Sequence, residues 1–379
     1  MPDAGLDGPD PYSRRFPVEA YARCYSDLVE SARVADAVGF DSFWTTEHHF
    51  QREGYEPIPN GVMLSLALAL QTRGMRFGTM FNVVPLWHPV RLAEDYAMAD
   101  ILSGGRMIFG AGWGSSMREA ELFGLSFSRQ DDEQNALNRS MFEEAMEVIR
   151  RAWSQDEFTF EGRHFALPRS GIRLYADGPP LERLTLVPRP IHPVETWQAL
   201  NRESDFHYAA RFGHVGMLNL HRAAETLDKW RRYGDLLAQY QGRSFRPGEL
   251  RALKLVAHIA DSRRAAFERV RRGHDERYRF LGAQRALTEY VDETGQPFRR
   301  GRLPTLEESM AQGGWLVGEP AEVRDRLLEL QETFELEALI VQLQFHAMEQ
   351  SVILEHIDRF ANQVVAHLTA PPATAAQRP

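Results

Sequence analysis

Residues 39–50 read Gly39-Phe40-Asp41-Ser42-Phe43-Trp44-Thr45-Thr46-Glu47-His48-His49-Phe50. The aromatic run over residues 40–44 has the length and side chains of a short strand. Upstream, Val18, Tyr21, Ala22, Tyr25, Leu28, Val29, Ala32 and Ala35 recur at three- and four-residue steps, which predicts an amphipathic helix over residues 18–38. Pro17 suits its start and Gly39 its end. Downstream, residues 62–71 predict a helix and residues 76–84 a buried strand. Pro89 opens another helix that runs to Leu102, Ser103-Gly104-Gly105 ends it, and residues 106–110 form a further strand. Each connection between these strands contains a helix, the pattern of parallel βαβ units.

The same alternation continues. Residues 195–200, 214–218, 253–260 and 338–343 predict strands, and residues 134–153 and 320–334 predict helices. The expected fold is therefore α/β, a (β/α)8 TIM barrel with insertions. A doubly wound open sheet is the alternative. Its nucleotide-binding version has no support, because no G-x-G-x-x-G follows a strand with an acidic residue about 20 positions on. Residues 167–193, rich in proline, read as an inserted loop with a small hairpin, and residues 261–318 as a charge-rich excursion with two helical stretches. Residues 1–368 are expected to form one barrel domain, and residues 369–379 a disordered Ala/Pro/Thr tail.

Composition narrows the function. Of 379 residues, 43 % are hydrophobic and 26 % charged, the balance of a packed globular protein. A net charge of −9 argues against nucleic-acid binding, which needs clustered Lys and Arg. The single cysteine, Cys24, excludes an intrachain disulfide and a cysteine-based metal site, and fits a reducing cytoplasm. The amino terminus lacks the basic-then-apolar pattern of a signal peptide. The longest apolar stretch, residues 62–70, is far short of the roughly 20 residues that span a bilayer. A cytoplasmic protein without membrane or nucleic-acid partners is the expectation.

Glu47, His48 and His49 follow a strand, and in a parallel barrel the carboxyl ends of strands carry the active face. A carboxylate and an imidazole there suit acid/base or positioning work. A metal site is the weaker reading, because adjacent side chains on an extended segment point to opposite sides. A plain surface histidine pair fits the spacing equally well. Gly110-Ala111-Gly112-Trp113-Gly114-Ser115-Ser116 follows the next strand but one; such a glycine-rich turn brings backbone N–H groups and hydroxyls close to a phosphate or flat ring, or serves packing alone. Asn201-Arg202-Glu203-Ser204-Asp205 joins a strand to a helix. It is either an anion site at the helix start or helix capping by Ser204 or Asp205. Trp87, His88 and His346 are less informative. No nucleophile elbow, P-loop or H-E-x-x-H helix occurs.

Taken in order, residues 39–50, Gly78-Thr79-Met80 through Val83-Val84-Pro85 with His88-Pro89-Val90-Arg91, and Ser103-Gly104-Gly105-Arg106 with Phe109-Gly110-Ala111-Gly112 resemble the bacterial luciferase-like flavin-dependent monooxygenases. Ala209-Ala210-Arg211-Phe212-Gly213 and Val317-Gly318-Glu319-Pro320 extend the resemblance over about residues 12–368. It implies a (β/α)8 barrel with FMN at the strands' carboxyl ends, or the deazaflavin F420 in one branch. In the monooxygenase branch, reduced FMN comes from a separate flavin reductase and reacts with O2 at C4a, and the peroxyflavin oxidises a small organic substrate. The F420 branch transfers hydride without oxygen, and some relatives are non-catalytic flavin binders. By motif, the resemblance implies His48 as catalytic histidine and Glu47 as the group that fixes its loop. It puts Asn82 beside the flavin ring, Gly112, Trp113 and Ser115 near the phosphate, and Asn201, Arg202 and Ser204 on its other side. No metal is implied; a homodimer is. Bacterial luciferase has a phosphate-binding arginine where this chain has Trp113, and a cysteine where it has Gly112, so light emission is not implied. The family's apolar first strand is not visible in the polar residues 1–16.

Overall fold

The computed structural model describes residues 14–114, 117–125, 132–283 and 302–368. They form two compact units: Ser42–Phe50 with Ile58–Thr196, and Met1–Asp41 with Gln51–Pro57 and Trp197–Pro379. Helix α1 (Val18–Ala37) opens the described chain, and no strand precedes it among the described residues. Arg14 instead is buried, its guanidinium donating to the Tyr55 hydroxyl at 3.1 Å and pairing with Glu276 at 2.8 Å.

The smaller unit carries the parallel strands β1 (Ser42–Thr45), β2 (Arg76–Thr79), β3 (Asn82–Val83) and β4 (Met107–Gly112). β1 pairs with β2, and β2 and β3 both pair with β4. Helices α2 (Gly61–Ala69), α3 (Pro89–Ser103), α4 (Met117–Leu122) and α5 (Asp132–Ser154) complete it. The Asn60 side chain caps α2 by accepting the Met63 N–H at 2.8 Å. Tyr96 of α3, Phe109 of β4 and Trp153 of α5 meet edge to face, with centroids 4.8 and 5.4 Å apart, and lock the helices onto the sheet. A small antiparallel pair, β5 (Phe160–Glu161) and β6 (Ala166–Leu167), leads into the proline-rich insertion, which itself holds an antiparallel bridge between Arg173 and Pro180.

The strand expected over residues 76–84 is interrupted. Gly78 pairs with Ile108 and Asn82 with Ala111, so four steps on one strand match three on the other. The extra residue makes a bulge, uncommon in a parallel pair. Met80 there still donates to the Thr45 carbonyl at 2.7 Å. The bulge presses on β4: a methyl group at Gly110 would overlap the Thr79 carbonyl oxygen, and one at Gly112 would stand 3.0 Å from the Phe81 Cβ. Close packing within the protein thus explains both glycines.

The larger unit holds β7 (Glu195–Ala199), α6 (Glu203–Phe212), β8 (Val215–Asn219), α7 (Ala223–Gln241), β9 (Arg251–Ile259), α8 (Arg263–Ala283), α9 (Leu306–Ala311), β10 (Trp315–Gly318), α10 (Pro320–Phe334), β11 (Ala338–Gln342) and α11 (Gln350–Gln363). All its strand pairs are parallel: β7 with β8, and β9 with β8, β10 and β11. β10 ends the stretch expected to be an excursion. Four residues after Gly313-Gly314 are too few for periodicity to reveal. β9 alternates in the usual two-residue period. Leu253, Leu255, Ala257 and Ile259 join the core built with α7 and α10, which puts Lys254, Val256 and His258 on the opposite face. No described helix is long and apolar enough to cross a membrane. The tail 369–379 lies outside the described residues.

His214 and His356 are among the histidines of this unit that are buried in neutral form. His356 accepts the Ile259 N–H through Nε2 at 3.1 Å and faces the Leu343 carbonyl through Nδ1 at 3.2 Å. Burial lowers both His356 and His214 to about 4. The unfolded chain takes up these protons near pH 6.5 and the folded chain only near pH 4, so stability is full above about 6.5 and falls as pH drops toward 4. Urea unfolding should lose several kcal/mol, on the order of 3 per histidine at the limit, over that window. A flat profile between pH 7.5 and 5 would show that the histidines are not buried neutral.

Candidate active site

β1 delivers Glu47 just past its carboxyl end, and the carboxylate is buried, the residue 3 % exposed. An isolated buried carboxylate is costly, so its oxygens need donors. Four converge on it. Asn82 Nδ2 donates at 2.8 Å, the Val83 N–H at 3.3 Å and Trp87 Nε1 at 3.0 Å, and His49 Nε2 lies at 3.4 Å. The bulge before β3 is what turns Asn82 and the Val83 N–H toward this point. Asn82 has no exposed surface, and its Oδ1 accepts the Tyr96 hydroxyl at 2.6 Å. The Asn82 amide is thus committed to Glu47 and Tyr96. Burial and the nearby Glu47 charge hold the Tyr96 phenol above its ordinary range.

His48 points elsewhere, as alternation requires. Its Nδ1 lies 3.1 Å from Glu119 Oε1, and the same oxygen accepts the His49 N–H at 3.1 Å. A carboxylate only accepts, so Nδ1 carries the proton of this bond and Nε2 is the ring's basic nitrogen. The Glu119 side chain is 4 % exposed and that of His48 31 %. Glu119, on α4, was not anticipated from the sequence; its signal was a lone carboxylate in the first turn of a helix shortly after the glycine-rich turn. The His49 ring sits edge-on to Phe123 at 4.8 Å, which holds the pair apart from a shared centre. Among the described residues no group of three or more His, Cys, Asp or Glu is placed to hold a metal. Gly112 ends β4 and Trp113, half-buried, follows it. Ser115 lies outside the described residues.

In the larger unit, the turn at residues 201–205 is capped by Asp205, whose carboxylate accepts the N–H groups of Asn201 at 3.2 Å and Arg202 at 2.9 Å. Asp205 thus acts as a capping acceptor at this helix start. Asn201 is exposed, and Arg202 and Ser204 are half-buried. Asn201 also lines a cavity of about 190 Å³ with Asn219, His221, Lys254, Arg277 and Trp315. The cavity sits where β8 ends and β10 begins along β9: the Leu220 N–H donates to the Lys254 carbonyl at 2.8 Å, and the Val256 N–H to that of Gly314 at 2.9 Å. Burial first, then the charge of Arg277, lowers the Lys254 amine to about 7, with Glu56 opposing. A lysine in an otherwise apolar strand, Leu253-Lys254-Leu255-Val256-Ala257, was the sequence signal for it.

The luciferase-like monooxygenase family profile matches residues 13–335. The oxygenase component of a flavin-dependent trigonelline monooxygenase from Acinetobacter baylyi is 27 % identical over 210 residues, 54 % of this chain and 51 % of that protein. The chain thus matches about half the length of this relative. The oxygenating constituent of 3,6-diketocamphane monooxygenase from Pseudomonas putida, solved with FMN, superposes with a TM-score of 0.71 at 20 % identity, covering 93 % of this chain and 95 % of that one. An F420-dependent secondary alcohol dehydrogenase superposes with a TM-score of 0.61 at 16 % identity, covering 90 % and 94 %. These likenesses establish the α/β fold as that of the luciferase-like TIM-barrel enzymes.

Glu47→Gln replaces an acceptor with a donor that faces other donors. We expect it to lower the unfolding free energy by about 1–3 kcal/mol and to change the Trp87 contribution to fluorescence. An unchanged urea midpoint would mean that the carboxylate does not organise this loop.

Proposed function

The chain belongs to the luciferase-like monooxygenase family, and we propose that it is the oxygenase component of a two-component system that oxidises a small organic substrate with O2 and reduced FMN supplied by a separate reductase. The observation that carries this reading is the His48–Glu119 pair at the carboxyl end of a parallel strand. The available groups suit an anionic flavin. The carboxylates of the smaller unit's site are buried and occupied, Trp113 is half-buried, and the larger unit presents Asn201, Arg202 and Ser204 at a helix start. The family motifs assign Gly112, Trp113, Ser115, Asn201, Arg202 and Ser204 to cofactor binding. When bound, reduced flavin supplies the electrons that activate O2.

The protein's part is proton control and positioning. His48 Nε2 gives or takes a proton at the reacting centre, which a histidine does best near neutral pH. Glu119 holds Nδ1–H, fixes the ring plane and favours the protonated ring that forms when Nε2 gains a proton. Glu47 acts one step back, by holding the loop that carries His48. A second reading, F420-dependent hydride transfer, is favoured by the likeness to the F420-dependent alcohol dehydrogenase. Anaerobic titration separates the two. Reduced FMN should bind and F420 should not; tight F420 binding with no FMN binding would establish the second reading.

In reductase-coupled assays His48→Ala should lower turnover by roughly 10²–10⁴-fold while reduced FMN still binds. Glu119→Gln should lower it less and move the acidic limb of the pH profile downward. Full turnover in His48→Ala would remove the imidazole from the chemistry.

A further inference from the structure

The cavity of the larger unit has features that the proposed reaction does not use. Lys254 lies mid-strand on β9, on the face opposite the apolar core. The residue is half-buried, its ammonium has no hydrogen bond or ion pair among the described residues, and a desolvated, unpaired cation is costly. Arg277 of α8 and Lys229 of α7 line the same space. The one carboxylate in the lining, Glu225, is engaged by Arg222 at 2.6 Å. Asn201 and Asn219 add neutral polar groups, and the Trp315 indole, which donates to the Tyr278 hydroxyl at 3.3 Å, forms an apolar wall. At about 190 Å³ the space is below the roughly 300–1,000 Å³ of sites that enclose a whole drug-sized ligand. It fits a head group and not an entire flavin.

We propose that this cavity is an oxyanion subsite, in which Lys254 and Arg277 hold the acid group of a small organic substrate, a carboxylate or a comparable singly or doubly charged oxyanion, against the Trp315 wall. The proposal rests on the monooxygenase reading for the word substrate, and it narrows the substrate class from any small organic molecule to organic acids. The alternative source of the same chemistry is the phosphate of the cofactor. The motif for that phosphate, at the turn before α6, shares only Asn201 with the cavity; the cationic groups of the lining, Lys254, Arg277 and Lys229, come from β9, α8 and α7. An anion also resolves the lysine's burial: the charged amine, disfavoured by desolvation and by Arg277 and supported only by Glu56, gains a partner. Binding should therefore take up a proton near neutral pH. The other charged or titratable groups lining the space are Lys229, Glu225, Tyr278 and His221, the last held below its ordinary value by burial.

Sulfate, which does not titrate in this range, is the probe. Calorimetry with the full chain should show sulfate binding that weakens as pH rises from 6 to 8. Lys254→Met and Arg277→Gln should each weaken it roughly tenfold or more, as loss of a charged hydrogen bond does, with circular dichroism confirming the fold. Lys254→Arg should restore it. Saturating reduced FMN, added anaerobically, should leave sulfate binding in place. No sulfate binding, or binding that both variants leave unchanged, would overturn the subsite. Sulfate displaced by reduced FMN but not by reduced riboflavin would overturn the substrate assignment in favour of the cofactor phosphate. Failure of the chain to bind reduced FMN at all would instead strike the monooxygenase reading, and it is read in a separate titration.

Discussion

One buried carboxylate organises the smaller unit. Glu47 comes off the end of β1 into an interior where a charge is stable only if donors surround it. The donors come from separate stretches: an asparagine amide and a backbone N–H on β3, an indole just beyond, and a neighbouring imidazole. β3 reaches that position because the ladder with β4 carries an extra residue. That bulge fits because Gly110 and Gly112 leave room for it. The glycines, the bulge and the carboxylate are thus one device. None of its parts has a clear local reason without the others.

The device sets the direction of the next side chain. With Glu47 and His49 turned toward the donors, His48 projects to Glu119. Two carboxylates therefore do different work at one strand end. Glu47 is fully enclosed and holds the loop. Glu119 touches the imidazole and sets which nitrogen is basic. The larger unit has the opposite electrostatic character, a cavity where a buried amine and a guanidinium face the same space. A protein with a net charge of −9 keeps that positive locus inside, where low polarity strengthens its hold on an anion.

Much of the fold was legible. Helix and strand periods alternate clearly from residue 18 to residue 112, and the motif at residues 39–50 marked the strand end that carries Glu47 and His48. What was hidden has physical causes. The interruption between β2 and β3 depends on register against β4, and register is not written in a single strand. β10 is too short for a period of two to stand out. Asn82 and Glu47 were both singled out, yet only three-dimensional contact shows that they bind each other. Glu119 and Lys254 were missed because each is one polar residue among ordinary neighbours. Their meaning comes from burial, which sequence spacing does not report. The turn at residues 201–205 carried two readings, and the hydrogen bonds of Asp205 supply the capping one.

The central claim is that His48 is presented as a base through Nε2, with Nδ1–H tied to Glu119. Long-range proton–nitrogen NMR on the ring of selectively labelled His48 tests it directly. At pH above the imidazole's titration, the account predicts a protonated Nδ1, an unprotonated Nε2, and loss of that tautomer preference in Glu119→Ala. A proton resident on Nε2, or a tautomer indifferent to Glu119, would contradict it.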